Sequence, residues 1–334
     1  MPKNRLDIIF EDAQDILKRV DFSWLEGKTV LVTGATGLLG THFLATLALL
    51  KEHGTNIQVS GHCHSEPADY TKEIAKKGSF FLEPAYGPPY YDAIIHASGY
   101  AQPSVFTVNP AETISINTTL TQKLFKTFLL PRGKFLFVSS SEVYSGLFDR
   151  VDEFDIGTTG PNHPRACYIE GKRCGEAIVN AYRQAGVDAK SARLGLTYGP
   201  GTRQNDQRAM SGFIRQALED KHVRMLYPGR EPRSFCYVRD AVEMMWNVLL
   251  HGTKPVYNVG SPFVTNMKNV ASTIAYITES DLSLPAQSNE LPGSGDVRMD
   301  VSLIESEFGA PNYVSLEEGL RRTVDWNKGF YGSV

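Results

Sequence analysis

The chain has 334 residues, of which 42% are hydrophobic and 21% charged, ordinary values for a globular protein of one large domain or two. Its net charge of −3 gives no electrostatic reason to expect nucleic acid or an acidic membrane as a partner. No apolar run approaches the roughly 20 residues of a membrane span, and residues 1–7 lack the features of a signal peptide. The four cysteines are too few and too scattered for a disulfide framework. We therefore expect a cytoplasmic protein, and we predict no metal site.

The first elements predict a dinucleotide-binding unit. Apolar residues recur at helical spacing over 6–20, so an amphipathic helix precedes the first strand and packs outside the domain or on a second subunit. A short apolar strand over 28–33 is followed by the turn Gly34-Ala35-Thr36-Gly37-Leu38-Leu39-Gly40 and a helix to about residue 50. A strand, a glycine-rich turn and a helix, in that order, are typical of a dinucleotide site. Glycines let the backbone approach the pyrophosphate, which lies at the positive end of the helix.

The end of the second predicted strand leaves the choice between NAD and NADP open. The strand covers 57–61, and an NAD site usually places an acidic residue near its end to bind the adenosine ribose. Here the chain continues as His62-Cys63-His64-Ser65, with no acidic residue until Glu66. His64 is a candidate neighbour of the ribose or phosphate, and a surface histidine is the alternative.

The remaining elements predict a large domain and a smaller lobe. Strands over 80–82, 91–97, 133–138 and 188–194 alternate with helices over 70–77, 112–129 and 168–185, which indicates a doubly wound parallel sheet. Beyond residue 201 we predict helices over 210–218, from 240, over 266–278 and over 316–326. Short strands lie between these helices, over 223–226, 235–238 and 257–259. The predicted organisation is an N-terminal helical extension (1–27), a Rossmann domain (28–200) and a smaller α/β substrate lobe (201–334), with some later segments returning to the main sheet.

Two stretches in the middle of the chain carry reactive groups. Ser139-Ser140-Ser141-Glu142-Val143-Tyr144 follows a buried strand, and strand ends are where open α/β sheets bind ligands. Tyr168 and Lys172 are four residues apart on a helix, so their side chains lie one turn apart on the same side. A nearby ammonium favours the phenolate over the phenol, so such a pair can exchange a proton with a substrate hydroxyl near neutral pH. The spacing alone also fits a solvated helix face.

These motifs together resemble the extended short-chain dehydrogenases/reductases that modify nucleotide sugars, and the match runs from about 28 to 327. Within that family, the stretches 139–144, 164–173 and 199–208 look most like those of the UDP-glucuronate decarboxylases (UDP-xylose synthases). The segment 233–240 is similar to the family's Arg-x-Phe-x-Tyr-Val-x-Asp pattern. The chain departs from the family at Leu196, where many relatives have Asn, and at Ser140, where Thr is usual. Together with the missing acidic residue after the second strand, these departures suggest an unusual substrate or a divergent subfamily.

The resemblance implies a role for each matching residue. Tyr168 would take the proton of the sugar C4 hydroxyl, Lys172 would lower the tyrosine pKa, and Ser140 would bond the same hydroxyl. Glu142 would assist the second step, which acts on C5. The cofactor is expected to be NAD, held by Gly34, Thr36, Gly37, Leu38, Leu39, His64, Ala97, Ser98, Ser139, Tyr168 and Lys172. The nucleotide sugar is expected to contact Ser141, Glu142, Tyr144, Arg208, Arg233 and Arg298. A homodimer through the 112–129 and Tyr168 helices, and a role in polysaccharide biosynthesis, are implied in the same way.

The reaction expected first is decarboxylation of UDP-glucuronate through a 4-keto intermediate. A nucleotide-sugar 4,6-dehydratase or an epimerase is the alternative, and a non-catalytic NAD-binding protein is a third. Dehydratases of the dTDP-glucose type carry Asp where this chain has Ser141, and simple C4 epimerases usually lack an acid at the position of Glu142. An arginine near Glu142 that could bind a carboxylate would favour decarboxylation, whereas a second acidic residue would favour dehydration.

Overall fold

The computed structural model describes residues 5–83, 90–147, 149–285 and 297–331. In chain order the strands of these segments are β1 (Thr29–Thr33), β2 (Gln58–His62), β3 (Phe81–Glu83), β4 (Tyr91–His96), β5 (Leu129–Ser140), β6 (Asp149–Val151), β7 (Asp188–Leu194), β8 (Leu196–Tyr198), β9 (His222–Arg224), β10 (Pro232–Tyr237), β11 (Val256–Val259), β12 (Val264–Asn266), β13 (Asp281–Ser283) and β14 (Val297–Met299).

The helices of the same segments are α1 (Arg5–Leu17), α2 (Leu38–Glu52), α3 (Asp69–Gly78), α4 (Pro103–Phe106), α5 (Pro110–Asn117), α6 (Thr119–Lys123), α7 (Ala166–Gln184), α8 (Ala209–Glu219), α9 (Val238–His251), α10 (Met267–Thr278), α11 (Ser302–Phe308) and α12 (Leu316–Tyr331). A π-helical turn spans Leu124–Phe128 and a 3₁₀ turn spans Ser141–Tyr144. Across the described residues, none of these helices combines the length and apolar character needed to cross a membrane.

Seven parallel strands form the central sheet, in the order β11-β7-β5-β4-β1-β2-β3. Successive residues of β1 face opposite sides: Val30 and Val32 join one buried cluster, and Leu31 joins the other. The first cluster includes side chains of α1, α2, α9 and α12, and the second includes side chains of α7 and the π-helical turn. Helices therefore cover both faces, which confirms the expected doubly wound fold. The strand order reverses between β1 and β4, and the carboxyl ends of strands at such a reversal form a ligand crevice.

The smaller lobe is built from short strands. β10 pairs with β8 and β12 in a three-stranded sheet, β9 pairs with β13, and β6 pairs with β14. β11 lies in the main sheet beside β7, and β6 and β8 bring residues from before position 200 into the small sheets. Of the three-residue strands, the sequence predicted β3 and β9 but not β6, β8, β12, β13 and β14, because so few residues show no periodicity.

The prediction of one continuous helix over 112–129 is wrong. The backbone is distorted at Thr118 (φ −116°, ψ −71°), which separates α5 from α6, and β5 already begins at Leu129. The hydroxyls of Thr113, Thr118 and Thr121 each donate to the carbonyl four residues earlier, at 2.7–2.8 Å. Such back-bonding by hydroxyl side chains bends helices. The apolar periodicity therefore predicted the helical content but not the break.

Candidate active site

The glycine-rich turn fits a dinucleotide because its backbone is packed where side chains would collide. Gly34 has φ +68°, and a Cβ there would lie 2.5 Å from the carbonyl oxygen of Ala97. A Cβ on Gly40 would overlap the carbonyl oxygen of Gly34. These glycines let the turn pack closely against the end of β4 and the first turn of α2. The N-cap of α2 is Gly37, which has no side chain. A backbone cradle at a helix N-terminus is the site that a pyrophosphate occupies.

The end of β4 is tied to the end of β1. The Thr33 hydroxyl lies 2.8 Å from Nδ1 of His96 and accepts a hydrogen bond from the backbone N–H of Ser98 at 3.3 Å. Ala97 and Ser98, which the resemblance implies as cofactor contacts, therefore lie beside the glycine-rich turn. Leu38 and Leu39 are half-buried against the core, whereas His64 is exposed just beyond β2.

Arg203, which no sequence motif indicated, also reaches this turn. Its Nη2 donates to Thr36 Oγ1 at 2.6 Å and to Ser65 Oγ at 3.1 Å. Its Nε and Nη2 approach the carbonyl oxygen of Thr36 at 3.3 and 3.2 Å. The side chain thus joins the loop before α8 to the turn and to the residues after β2. No local pattern could have found it, because Arg203 is 167 residues from Thr36.

The hydroxyl-rich strand end and the Tyr-Lys pair meet, as expected. Ser140 ends β5, and its Oγ accepts the N–H of Glu142 at 3.2 Å. Tyr168 lies in the first turn of α7, is buried, and hydrogen-bonds through its hydroxyl with the Ser140 side chain. Lys172, one turn later, is also buried and donates from Nζ to the carbonyl oxygen of Val138 at 2.7 Å. The chain therefore brings together a phenol, a hydroxyl and an ammonium at the carboxyl end of β5.

Burial dominates the ionisation of the pair. It raises the pKa of Tyr168 above its ordinary value; the Ser140 hydrogen bond, Arg165 and Arg208 act in the opposite sense, while Glu142 adds to the rise. Burial lowers the pKa of Lys172 to about 7, against the opposing charge of Glu176. The expectation that the protein's own charges bring the tyrosine pKa towards neutrality is wrong, because desolvation of the charged form outweighs the nearby cations.

An ion pair lies beside Tyr168. Arg165, the residue before α7, donates from Nη2 to Glu142 Oε1, and both side chains are about one quarter exposed. The guanidinium lies 5.7 Å from the ring centroid of Phe106, which itself stacks on Tyr168 at 4.7 Å. Arg165 Nε is buried without a hydrogen-bond partner among the described residues. The guanidinium therefore keeps donors for a ligand. The sequence contained this residue in the decarboxylase-like stretch 164–173 but did not assign it a role.

The three predicted substrate arginines, Arg208, Arg233 and Arg298, lie in different surroundings. Arg208 pairs with Asp206 through Nε and Nη2, at 2.6–3.1 Å, and its charge acts on Tyr168. Arg298 instead donates to Asp149 at 2.7 Å, with both side chains largely exposed. Arg233 is half-buried on β10, and its Nε has no hydrogen-bond partner among the described residues. The structure brings Arg208 to the Tyr168 side of the cleft and pairs Arg298 at the surface.

Tyr144 and Ser139 belong to a buried polar network behind the reactive groups. The fully buried Tyr144 donates to Asn258 Oδ1 at 2.6 Å and accepts from Arg193 at 2.9 Å. Ser139 Oγ donates to Glu176, which also accepts from Arg193. Burial raises the pKa of Tyr144 to about 12. These hydroxyls are already used within the protein, while Ser141 is half-buried at the start of the 3₁₀ turn.

The fold and the site define an enzyme class. Residues 30–260 match the family described as the NAD dependent epimerase/dehydratase family, so the chain belongs to that family of NAD-dependent enzymes, and the resemblance found in the sequence is confirmed. UDP-glucuronic acid decarboxylase 6 of Arabidopsis thaliana is 30% identical over 299 residues, which cover 87% of this chain and 86% of the relative. UDP-glucuronic acid decarboxylase 1 of Xenopus tropicalis is 28% identical over 307 residues, covering 90% and 72%.

Solved structures agree on the fold. The UDP-glucuronic acid 4-epimerase of Bacillus cereus in complex with NAD superposes with a TM-score of 0.72 at 22% identity, covering 92% of this chain and 99% of the other. The dTDP-glucose 4,6-dehydratase of Bacillus anthracis, also in complex with NAD, gives 0.70 at 18% identity, covering 90% and 97%. At these identities the likeness establishes the architecture, and the expected cofactor, NAD, is confirmed by the family.

Proposed function

We propose that this enzyme converts UDP-glucuronate to the corresponding UDP-pentose by oxidation at C4, loss of the C5 carboxylate as CO₂ and re-reduction at C4. The observation that carries the proposal is the Arg165–Glu142 ion pair beside Tyr168. A guanidinium with unused donors can hold a substrate carboxylate in a bidentate pair, which lysine could not match. The similarity to UDP-glucuronic acid decarboxylases supports the same substrate.

The chemistry balances without an external oxidant. A ketone at C4 makes the substrate a β-keto acid, so the bond from C5 to the carboxylate breaks, CO₂ leaves and the electron pair forms an enolate. Protonation at C5 gives a ketone, and reduction at C4 restores the alcohol. Bound NAD would supply the acceptor, and later the donor, of the C4 hydride. The glycine-rich turn, Thr36 and Lys172 are the groups that would hold it.

The protein's side chains would divide the remaining work. Tyr168 accepts the proton of the C4 hydroxyl, and Ser140, hydrogen-bonded to it, orients the same oxygen. Lys172 in its ammonium form supplies a buried positive charge one helical turn away, which favours the phenolate form of Tyr168 that accepts this proton. Arg165 fixes the carboxylate, and Glu142 holds Arg165 in place and assists the step at C5. Each role needs only groups that the described residues bring together.

A 4,6-dehydratase is favoured less, because residue 141 is serine and the carboxylate that acts on Tyr168 is Glu142. Departure of a C6 hydroxyl needs an acid to protonate it. An epimerase acting on UDP-glucuronate would also use Arg165, so the two reactions must be separated by their products.

The deciding experiment is incubation of the purified protein and NAD with UDP-glucuronate, followed by mass spectrometry of the sugar nucleotide. We expect loss of the mass of CO₂. A product of unchanged mass with inverted C4, seen by NMR, would replace the proposal with epimerisation. Loss of water from a neutral hexose nucleotide, with UDP-glucuronate untouched, would replace it with dehydration.

Three variants connect the reaction to the ion pair. Arg165→Gln should lower kcat/KM for UDP-glucuronate by about 100-fold or more, because a desolvated charge pair is lost. Glu142→Gln should slow the C5 step more than the oxidation, so reduced nicotinamide should accumulate during turnover. Arg224→Gln is the matched control, because the Arg224 side chain is exposed and its pair with Asp220, at 3.5 Å, lies at the surface. Equal activity of all three variants would contradict the assignment.

We propose a homodimer through α5 and α7. These helices pack side by side, and α7 presents the small exposed side chains Cys174, Ala177 and Ala181, which permit close approach of a second helix pair. Light scattering on the purified protein should give twice the chain mass of 37.0 kDa, and Ala177→Arg should give the monomer.

We place the enzyme in the cytoplasm, a proposal that the four free thiols support. We also place it in polysaccharide biosynthesis.

A further inference from the structure

We infer that the adenosine-ribose end of the dinucleotide site takes a 2′-phosphate held by Arg203, so that the protein binds NADP(H) in addition to NAD(H). The inference concerns the cofactor's own site and stands whether or not the proposed sugar reaction is correct.

The charge of the residues around the end of β2 favours a 2′-phosphate. A carboxylate at this place accepts the ribose 2′-hydroxyl of NAD and repels a 2′-phosphate, whereas a nearby arginine accommodates the phosphate. The residues after β2 are Cys63, His64 and Ser65. The first acidic residue, Glu66, is exposed and neutralised by Lys72 Nζ at 2.6 Å. The described chain therefore presents no unpaired carboxylate from these residues to the ribose.

The position of Arg203 is the second argument. Its guanidinium touches Thr36 in the glycine-rich turn and Ser65 after β2, which are the two segments that border the adenosine ribose. Its charge is also felt at Cys63, where it opposes the rise in the pKa of the buried thiol. Arg203 thus lies between the turn and the β2 end rather than on a remote surface.

The unused capacity of Arg203 is the third argument. Its hydrogen bonds go to a carbonyl and two hydroxyls, and it forms no ion pair with a carboxylate among the described residues. These bonds use Nε and Nη2, which leaves Nη1 for a ligand. The hydroxyls of Thr36 and Ser65 can themselves donate to a phosphate. A guanidinium flanked by two hydroxyls, without a counterion, is a site for a phosphate dianion.

A purely structural role for Arg203 is the competing explanation, since its contact with the carbonyl of Thr36 also ties the turn to the loop before α8. The two explanations differ in selectivity. A structural tie supports every dinucleotide equally, whereas a phosphate ligand acts only on the 2′-phosphorylated one.

The test is a binding titration by calorimetry, which needs no sugar substrate and no turnover. The probes are adenosine 2′,5′-bisphosphate against 5′-AMP, and NADP against NAD. We expect the dissociation constant of the wild-type protein to be at least about tenfold lower for the bisphosphate than for 5′-AMP. A tenfold difference corresponds to about one charge-assisted hydrogen bond. Arg203→Gln should remove that advantage and change the affinity for 5′-AMP and NAD by less than about threefold.

Three further variants complete the design. Arg203→Lys should keep part of the advantage, because it retains the charge without the fork. Ser65→Asp should reverse the preference in favour of NAD. Arg215→Gln, which removes an exposed arginine of α8, should change nothing. The inference is overturned if the wild-type protein binds bisphosphate no better than 5′-AMP, or if Arg203→Gln weakens both to the same extent. Thermal unfolding of each variant confirms that it is folded before the titration.

Discussion

At the scale of single residues, burial controls the reactive groups. Tyr168 and Lys172 are both buried against β5, where loss of water disfavours the charged form of each. The pKa of Tyr168 is raised and that of Lys172 is lowered, so both groups are pushed towards their neutral forms. The phenolate needed for proton transfer must therefore be stabilised by nearby cations: Arg165 and Arg208 already lower the pKa of Tyr168, and the ammonium form of Lys172 is the cation proposed to act with them.

Replacing Tyr168 by Phe tests whether the phenol carries the chemistry. Turnover of the sugar nucleotide should fall by about 1,000-fold or more, because the group that accepts the proton is gone. The dissociation constant of NAD should change by less than about threefold. Tyr182→Phe is the control on the same helix, where the ring stacks on Phe125 at 4.1 Å. Full turnover in Tyr168→Phe would contradict the role of Tyr168 as the proton acceptor.

Glu176 tunes Lys172 from a distance, and the effect has a definite sign. The carboxylate raises the pKa of Lys172, which burial brings down to about 7, so the ammonium is lost as the pH rises through about 7. In Glu176→Gln this pKa should fall further, and the basic limb of kcat/KM against pH should move to lower pH. Glu170→Gln, on the same helix but paired with Arg173, should leave the limb in place. An unmoved limb in Glu176→Gln would contradict the role given to the Lys172 charge.

At the scale of elements, polar groups as well as an apolar face hold α1 against the rest of the chain. Asp12 is buried, accepts from Tyr237 at 2.8 Å and from Arg322 at 2.9 Å, and so joins α1 to β10 and α12. Burial raises the pKa of Asp12 to about 7, although both partners act in the opposite sense. The expected amphipathic helix is present, and it packs on its own chain against α2, α9 and α12.

Removing the Asp12 carboxylate should therefore loosen the N-terminal helix. Asp12→Ala should lower the free energy of unfolding by about 3 kcal/mol, because Arg322 and Tyr237 lose a buried partner. Asp12→Asn should cost less, since its amide oxygen can still accept. Lys18→Ala, which removes a largely exposed partner of Asp15, should cost at most about 1 kcal/mol. Denaturant unfolding measures all three, and equal values for Asp12→Ala and Lys18→Ala would contradict the role of Asp12 in holding the helix.

At the scale of the whole molecule, buried neutral histidines make stability depend on pH. His42, fully buried on α2, has one ring nitrogen, Nε2, 2.9 Å from the carbonyl oxygen of Pro200, and burial lowers its pKa to about 4. His96, at the end of β4, has its pKa lowered to about 3 for the same reason. Because the unfolded chain binds these protons more readily, the stability from neutral histidines is present above about pH 6.5 and is lost as the pH falls. Asp12 acts in the opposite sense over part of this range.

A comparison between variants isolates the histidine effect. His42→Gln keeps a donor for the carbonyl oxygen of Pro200 but has no titrating group, so its stability relative to the wild type should change with pH. Between pH 6.5 and 4, the free energy of unfolding should fall by about 3 kcal/mol less in this variant than in the wild type. That difference corresponds to the uptake of one proton over about 2.5 pH units. Denaturant unfolding at several pH values measures the difference. Parallel curves for the two proteins would show that His42 does not titrate in this range.

The sequence by itself determined the architecture and the local motifs. Alternating apolar strands and helices specify a doubly wound sheet, and the glycines at 34, 37 and 40 specify the turn, because each of these signals depends on neighbours within a few residues. The same holds for Tyr168 and Lys172, which a single helical turn brings together. Even here the local signal had a limit: the hydroxyl back-bonds that accompany the break near Thr118 do not show in an apolar pattern.

Only the tertiary structure decided what surrounds these motifs. Arg165 reaches Glu142 across 23 positions and Arg203 reaches Thr36 across 167, while Tyr144, adjacent in sequence to the reactive serines, is turned into a buried network. It also reversed the expected direction of the Tyr168 pKa. The physical reason is common to all of them: desolvation and charge act through space, so they depend on which distant residues the fold brings into contact.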